Sequence, residues 1–210
     1  MTINHLILGV YQTNCYILRA DADAVDCLII DTGLETRPLE RLLEENVLNP
    51  FAVILTHGHV DHIAALNDLR EEYPDMKVYI HQLDAEMLIG SEANLWIMAM
   101  KPFSTDPPDF VVRDGDKIEA VGIKLDVLHT PGHTPGGICL YSSNQAVVFS
   151  GDTLFADSIG RTDMPGGDMS QLVASIKNIL FNLPENTIVY PGHGPSTTIG
   201  HEKANNPFLR

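Results

Sequence analysis

The sequence predicts an α/β layered fold, and three observations predict it. Short apolar runs rich in Val, Ile and Leu alternate with stretches whose apolar residues recur at helical spacing. Turns containing Gly, Pro or Asp separate them. Histidines and aspartates also stand directly after strand-like runs along the chain. In layered α/β folds, strand ends on one sheet edge converge on a crevice, so the third observation locates a site as well as a fold.

The elements follow in order. "CYILRA" and "CLIID" read as strands, with "DTGL" as a Gly-containing turn after the second. "RPLERLLEENV" carries Leu39, Leu42 and Leu43 at helical spacing, with Pro38 suited to a first turn. "FAVILT" is a continuous apolar run and predicts a strand buried on both faces. "DHIAALNDLREEY" predicts one helix, with Ile63, Leu66 and Leu69 on one face and Pro74 beyond its end. "KVYIH" predicts the next strand. The stretch "QLDAEMLIGSEANLWIMAMKPFSTDPPDF" starts with a helical pattern and ends as a Pro-rich loop. Strands resume at "KLDVLHT", "GICLYS" and "AVVFSGD". A helix at "MSQLVASIKNILFNL" then precedes the strand "TIVYPGH". With 210 residues and 44% hydrophobic content, residues 1–210 are expected to form a single domain with a full core.

Charge and leader signals narrow the function. Thirteen Lys and Arg against 28 Asp and Glu give a net charge of -15 with no basic stripe, which repels a nucleic-acid partner. "MTINHLILGV" lacks the basic start and long apolar core of a secretory signal, and "LWIMAM" is too short to span a bilayer. Cys15, Cys27 and Cys139 are scattered with no CxxC pair, as small core residues in a reducing compartment would be. A cytoplasmic protein with a small-molecule substrate, and no nucleic-acid or membrane partner, is expected.

The stretch "LTHGHVDHIAAL" crowds His57, His59, Asp61 and His62 between an apolar run and an amphipathic one. His133 follows "KLDVL" in "HTPGHTPGG", Asp152 follows "AVVF" in "FSGDT", and His193 follows "TIV" in "YPGHG". Imidazole and carboxylate are the ligands of zinc, iron or manganese centres. Seven such groups exceed what one four-coordinate ion can use, whereas two ions sharing Asp152 and a hydroxide account for all of them. Plainer roles exist for single members. Asp61 could cap a helix, Asp152 likewise, and the glycines of "TPGHTPGG" could serve positive φ. His5, His81, His129 and His201 read as hydrogen-bonded polar residues of the core, and "LWIMAM" as core or a homodimer contact. "DMPGGD" reads as a loop near the site rim.

"THGHVDH", "HTPGHTPGG", "SGDTLF" and "YPGHG" together resemble the HxHxDH and downstream motifs of the metallo-β-lactamase superfamily, in matching order. The resemblance implies a four-layer αβ/βα sandwich with metals between the sheet edges. It implies one ion on His57, His59 and His133, another on Asp61, His62 and His193, and Asp152 bridging. "GDTLFADSIGRTDMPGGD" and the closing "GPSTTIGHEKANNPFLR" look like glyoxalase II-like hydrolases of the short, single-domain kind. Arg161 stands where that family has a basic substrate-binding residue. Two departures weigh against glutathione specificity. The helical domain that holds glutathione has no counterpart here, and Gly194 and Pro195 stand where a tyrosine would follow the last metal histidine.

The expectation is therefore a binuclear hydrolase, with zinc foremost and iron or manganese as alternatives, acting on a thioester such as a hydroxyacylglutathione. A bridging hydroxide would be the nucleophile, since metal-bound water loses its proton near neutral pH. A thiolate leaves with little help from a general acid. Asp61 would be a ligand first and a proton acceptor or relay second. The rival is a mononuclear-iron oxidoreductase, because persulfide dioxygenases resemble the same motif set. The superfamily's nucleases are disfavoured by the acidic balance, a β-lactamase by the missing export signal, and a closed structural metal site by the lack of room for a reacting water.

Overall fold

The structure is a computed structural model and describes residues 1–90, 94–95 and 102–210. Its first sheet holds β1 (Thr2–Leu8), β2 (Thr13–Arg19), β3 (Asp26–Ile30), β4 (Asn49–Ile54), β5 (Lys77–His81) and β6 (Phe110–Val112), side by side in chain order. β1, β2 and β3 pair antiparallel, and β3 through β6 pair parallel. The second sheet is built from β7 (Lys117–Ala120), β8 (Ile123–His129), β9 (Ile138–Ser142), β10 (Val147–Gly151), β13 (Ile188–Pro191) and β14 (Thr197–Thr198). In it only β10 and β13 are parallel. A small hairpin of β11 (Leu154–Phe155) and β12 (Ser158–Ile159) follows β10.

Side-chain alternation along the strands assigns each face to a layer. Leu28, Ile30, Ala52 and Ile54 of the first sheet pack against Leu125, Val127, Leu140 and Phe149 of the second. The alternate residues Ile29, Val53 and Val78 turn outward onto Leu39 and Leu43 of α1 (Thr36–Glu45) and Leu66 and Leu69 of α3 (Leu66–Glu72). On the far side, Cys139, Val148 and Val189 meet Leu172 and Ile176 of α4 (Met169–Asn178) and Ile199 of α5 (Ile199–Asn205). Helix, sheet, sheet, helix: the four-layer αβ/βα expectation holds.

Three sequence expectations change, and a fourth falls outside the described residues. The single helix across residues 61–73 is broken into α2 (Val60–Ile63) and α3. The His62 carbonyl is taken by the Thr32 N–H and hydroxyl, and the Ala65 N–H donates to Gly33, so the helical ladder is diverted at the break. The helix expected after His81 shrinks, up to Gly90, to one 3-10 turn, Ala85–Met87. Residues 96–100, expected as core or dimer contact, lie outside the described residues. The strands β1, β6 and β7, together with α5, had no counterpart in the sequence reading.

Candidate metal centre

The end of each sheet delivers part of the site. After β4, the chain runs through Thr56 to His57 and His59, and α2 then presents Asp61 and His62. All four are buried. From the second sheet, the loop after β8 carries His133, Asp152 follows β10, and His193 follows β13. The seven residues meet. His59 Nδ1 lies 2.9 Å from His133 Nε2, and His62 Nε2 lies 3.3 Å from His193 Nε2. Asp152 sits between the two groups, its Oδ2 3.6 Å from His133 Nε2 and 3.5 Å from His193 Nε2. His57, His59 and His133 form one set of mutually close donor atoms, and Asp61, His62 and His193 form another.

The ring nitrogens are oriented from outside. His62 Nδ1 donates to Asp31 at 2.8 Å, His133 Nδ1 to the Arg161 carbonyl at 2.7 Å, and His193 Nδ1 to the Tyr11 carbonyl at 3.0 Å. Each bond fixes the tautomer and leaves Nε2 as a lone pair turned inward. Asp31 is itself held by the Thr56 N–H and hydroxyl. On the second sheet's side, Asn14 Nδ2 donates to the carbonyls of Pro191 and Gly194, bracketing His193.

Inward-facing lone pairs at these separations repel one another unless a cation lies between them. His57 Nε2, His59 Nε2 and Asp152 Oδ1 are buried with no hydrogen-bond partner among the described residues. Orphaned buried polar atoms of this kind are costly, and a bound cation would satisfy acceptors of this chemistry. The residues fit a metal centre. Titration divides the groups, leaving His57 and His59 neutral and His62 inclined to keep a proton that a cation would have to displace. Burial, aided by His62, His59 and His133, pushes the His57 imidazole well below its ordinary value. Burial and His133 lower His59 to about 3, against Asp61. At His62 burial acts downward too, but Asp61, Asp152 and Asp31 outweigh it and lift the group to about 10. Burial would raise Asp61, yet His62 and His193 hold it well below the usual carboxylate range.

A cavity of about 330 Å³ opens over the cluster, with His59, Asp61, His133, Asp152 and His193 at its polar end. Tyr11, Phe155, Ile159 and Met164 supply an apolar wall, and Arg161 stands at the rim. Arg161 is 59% exposed, and both arms of its fork hold Asp163 at 2.7 Å.

The family model described as Metallo-beta-lactamase superfamily matches residues 8–193. The chain belongs to the metallo-beta-lactamase superfamily. Among curated members it is similar to the probable metallo-hydrolase YqgX of Bacillus subtilis, 38% identical and covering 96% of this chain and 94% of that protein. It is also similar to the hydroxyacylglutathione hydrolase GloC of Haemophilus influenzae, 34% identical, covering 100% and 98%. Among solved members, the BLEG-1 B3 metallo-beta-lactamase is 40% identical with a TM-score of 0.93, covering 99% of both chains. TTHA1623 in a di-iron-bound form is 40% identical with a TM-score of 0.83, covering 98% and 100%. ETHE1 from Myxococcus xanthus is 31% identical with a TM-score of 0.80, covering 99% and 84%. Superfamily membership and the two His/Asp groups together suggest a binuclear site.

The plainer roles fare unevenly. Asp61 caps nothing, since His59 is the N-cap of α2 and makes no side-chain cap bond. Asp152 precedes the β11–β12 hairpin instead of a helix. Within "TPGHTPGG" only Gly132 has positive φ. Gly136 is needed for close approach, because a Cβ there would lie 2.5 Å from Asp84 Oδ1. His81 is buried and stacked on His129 at 4.1 Å, but His5 and His201 are exposed surface residues bonded to Asn14 and Asp157. "DMPGGD" does edge the site through Met164, and its Asp168 caps α4. Sequence reasoning missed Asp31, Asn14 and Asp84. Only Asp31 carried a usable signal, as an aspartate directly after a buried strand like the ligands themselves.

Proposed function

We propose that this chain, acting as one domain over residues 1–210, is a binuclear metal-dependent hydrolase of thioesters with zinc as its resident ion. The carrying observation is the pair of donor groups, His57–His59–His133 and Asp61–His62–His193, with Asp152 between them and orphaned acceptors in both His57 and Asp152. Those groups would hold the two ions, and Asp152 would bridge. When bound, such ions supply a deprotonated water near neutral pH and polarise the acyl carbonyl. The chain does the rest. Asp31 and the carbonyls of Arg161 and Tyr11 keep the imidazoles aimed inward. Tyr11, Phe155, Ile159 and Met164 enclose the acyl group and exclude water. Asp61 is placed to accept a proton, and Arg161 to orient an anionic end of the substrate. A thiolate leaves unaided by a general acid, and none of the described residues lining the cavity stands out as one. The name of the Haemophilus influenzae relative supports a thioester of the hydroxyacylglutathione type. Three buried free cysteines support a reducing, cytoplasmic setting, and no helix among the described residues is long and apolar enough to cross a membrane.

Two neighbours keep a second reading in view. The likeness to ETHE1 is compatible with the mononuclear-iron persulfide dioxygenase, and the di-iron form of TTHA1623 keeps iron in question. Elemental analysis of protein purified without added metal, paired with a panel of thioesters and one β-lactam, tests both. Two zinc ions per chain with thioester turnover is the expected result. A single iron, with oxygen consumed on glutathione persulfide, would replace the hydrolase reading. Turnover of the β-lactam alone would move the substrate class toward that of the BLEG-1 neighbour.

A further inference from the structure

Asp84 lies in the turn after β5, is fully buried, and does not line the catalytic cavity. Its Oδ2 accepts from the Gly58 N–H at 3.2 Å and the Thr134 hydroxyl at 2.7 Å, and its Oδ1 accepts from the Gly136 N–H at 2.6 Å. Gly58 sits between His57 and His59. Thr134 follows His133 directly, and Gly136 stands three residues after it. One carboxylate thus ties the histidine loop of the first sheet to that of the second, at the point where His59 and His133 approach to 2.9 Å. The approach is close on both sides. A Cβ at Gly58 would lie 2.6 Å from Met87 Cβ, and one at Gly136 would lie 2.7 Å from the Asp84 backbone nitrogen.

Only an ionised carboxylate serves this position. Three donors converge on it, and a carboxylate accepts on both oxygens while offering no hydrogen of its own. An amide has one accepting oxygen, so its NH2 group must face a donor whichever way it is turned. The other donor group takes no bond from Asp84: His62 is held by Asp31, whose partner Thr56 also reaches His57 Nδ1 at 3.1 Å, and His193 by Asn14 and the Tyr11 carbonyl.

We infer that Asp84 is a positioning residue for one half of the centre: it sets the spacing of His57, His59 and His133, and through them the grip on one of two ions. This rests on the two-ion reading above. Partners behind metal ligands typically govern metal affinity by 10- to 100-fold. The asymmetry between the halves is what distinguishes this role from general support of the fold.

The test is a titration of the full chain, stripped by chelation, with cobalt(II) and with zinc(II) against a competing chelator. His59→Ala and His193→Ala mark which equivalent belongs to which half. Asp84→Asn is expected to weaken the equivalent lost in His59→Ala by about 10- to 100-fold and to alter its cobalt absorption. The equivalent lost in His193→Ala should stay as in wild type. Thr134→Val, which removes one donor of three, should weaken the same equivalent by a smaller factor, and it decides the matter if Asp84→Asn does not fold. Equal weakening of both equivalents, or of neither, overturns the inference. A wild-type chain that takes up only one equivalent would overturn the two-ion reading instead.

Discussion

Replacing Arg161 by alanine separates two jobs that meet in one residue. Its guanidinium is the cation at the rim of the cavity, and its carbonyl receives the His133 Nδ1–H at 2.7 Å. A sheltered charge-assisted contact to an anionic substrate would make the side chain worth roughly tenfold to hundredfold in affinity. The structure argues for less. Arg161 and Asp163 are 59% and 67% exposed, and the fork already grips the Asp163 carboxylate with two bonds of 2.7 Å. Arg161 holds that carboxyl at about 2, so it competes as a full anion throughout the neutral range. An incoming carboxylate must share or displace it, and exposed ion pairs shift equilibria by only about fivefold or less. Arg161→Ala should therefore lower kcat/KM for an anionic thioester by about fivefold or less. Asp163→Asn, which frees the fork, should raise it by a similar factor. The assay is kcat/KM on two thioesters matched in acyl group, one ending in a carboxylate and one in an amide, at low and high salt, with metal content measured alongside. The neutral substrate should respond to neither change, and high salt should erase both effects. Equal losses on the two substrates, with falling metal content, would refute the reasoning and make the carbonyl's hold on His133 the residue's whole contribution.

Asp152→Ala should cost more activity than His193→Ala at saturating metal, because the Asp152 carboxylate lies within 3.6 Å of an imidazole nitrogen of each donor group; equal kcat values would remove the bridging role. Gly192→Ala should lower metal stoichiometry with an unchanged circular dichroism spectrum, since its Cβ would lie 2.2 Å from Asp152 Oδ1 and 2.8 Å from His62 Cε1; full metal occupancy would count against it. His81 gives a pH dependence. Burial and its neighbour His129 lower it to about 4, below the ordinary value near 6.5. As pH falls between those values the unfolded chain gains a proton that the native chain refuses, so stability falls across that window and is whole above it. Urea midpoints at several pH values should show a shallower acid decline in His81→Gln than in wild type, and parallel declines would assign the effect elsewhere.

The layers, and the seven His and Asp residues that the fold gathers at one place, were readable because their signals are local. A buried strand is a short apolar run, and each motif opens within four residues of such a run's end, at His57, His133, Asp152 and His193. What the sequence hid was every feature decided by a distant partner. The break between α2 and α3 comes from Thr32 and Gly33 capturing backbone groups some thirty positions away, and no propensity at Ala64 or Ala65 announces it. Asp84 looked like an ordinary polar residue in a helical pattern, since the loops that converge on it are assembled only by the sheets. Arg161 was visible as a cation near the motifs, but the closure of its fork by Asp163, two residues on, needed side-chain geometry. Edge strands such as β6 were too short to register, at three residues.

Neither sheet owns a complete set of donors. His59 and His133 are 74 positions apart, and His62 and His193 are 131 apart. In a disordered chain, bringing such remote groups to one ion means closing very large loops, an entropic barrier that ion binding would not repay until the two halves had already come together. The metals therefore have little leverage on how fast the chain folds. Their leverage would be on departure: once seated, each proposed ion would be a rivet through the seam between the halves, and parting the seam would mean breaking ligand bonds first. Interactions absent from the folding transition state slow unfolding alone. Loading this protein with the proposed ions should lengthen the life of its native state far more than it hastens its birth, which would make metal supply a control on persistence as well as on chemistry.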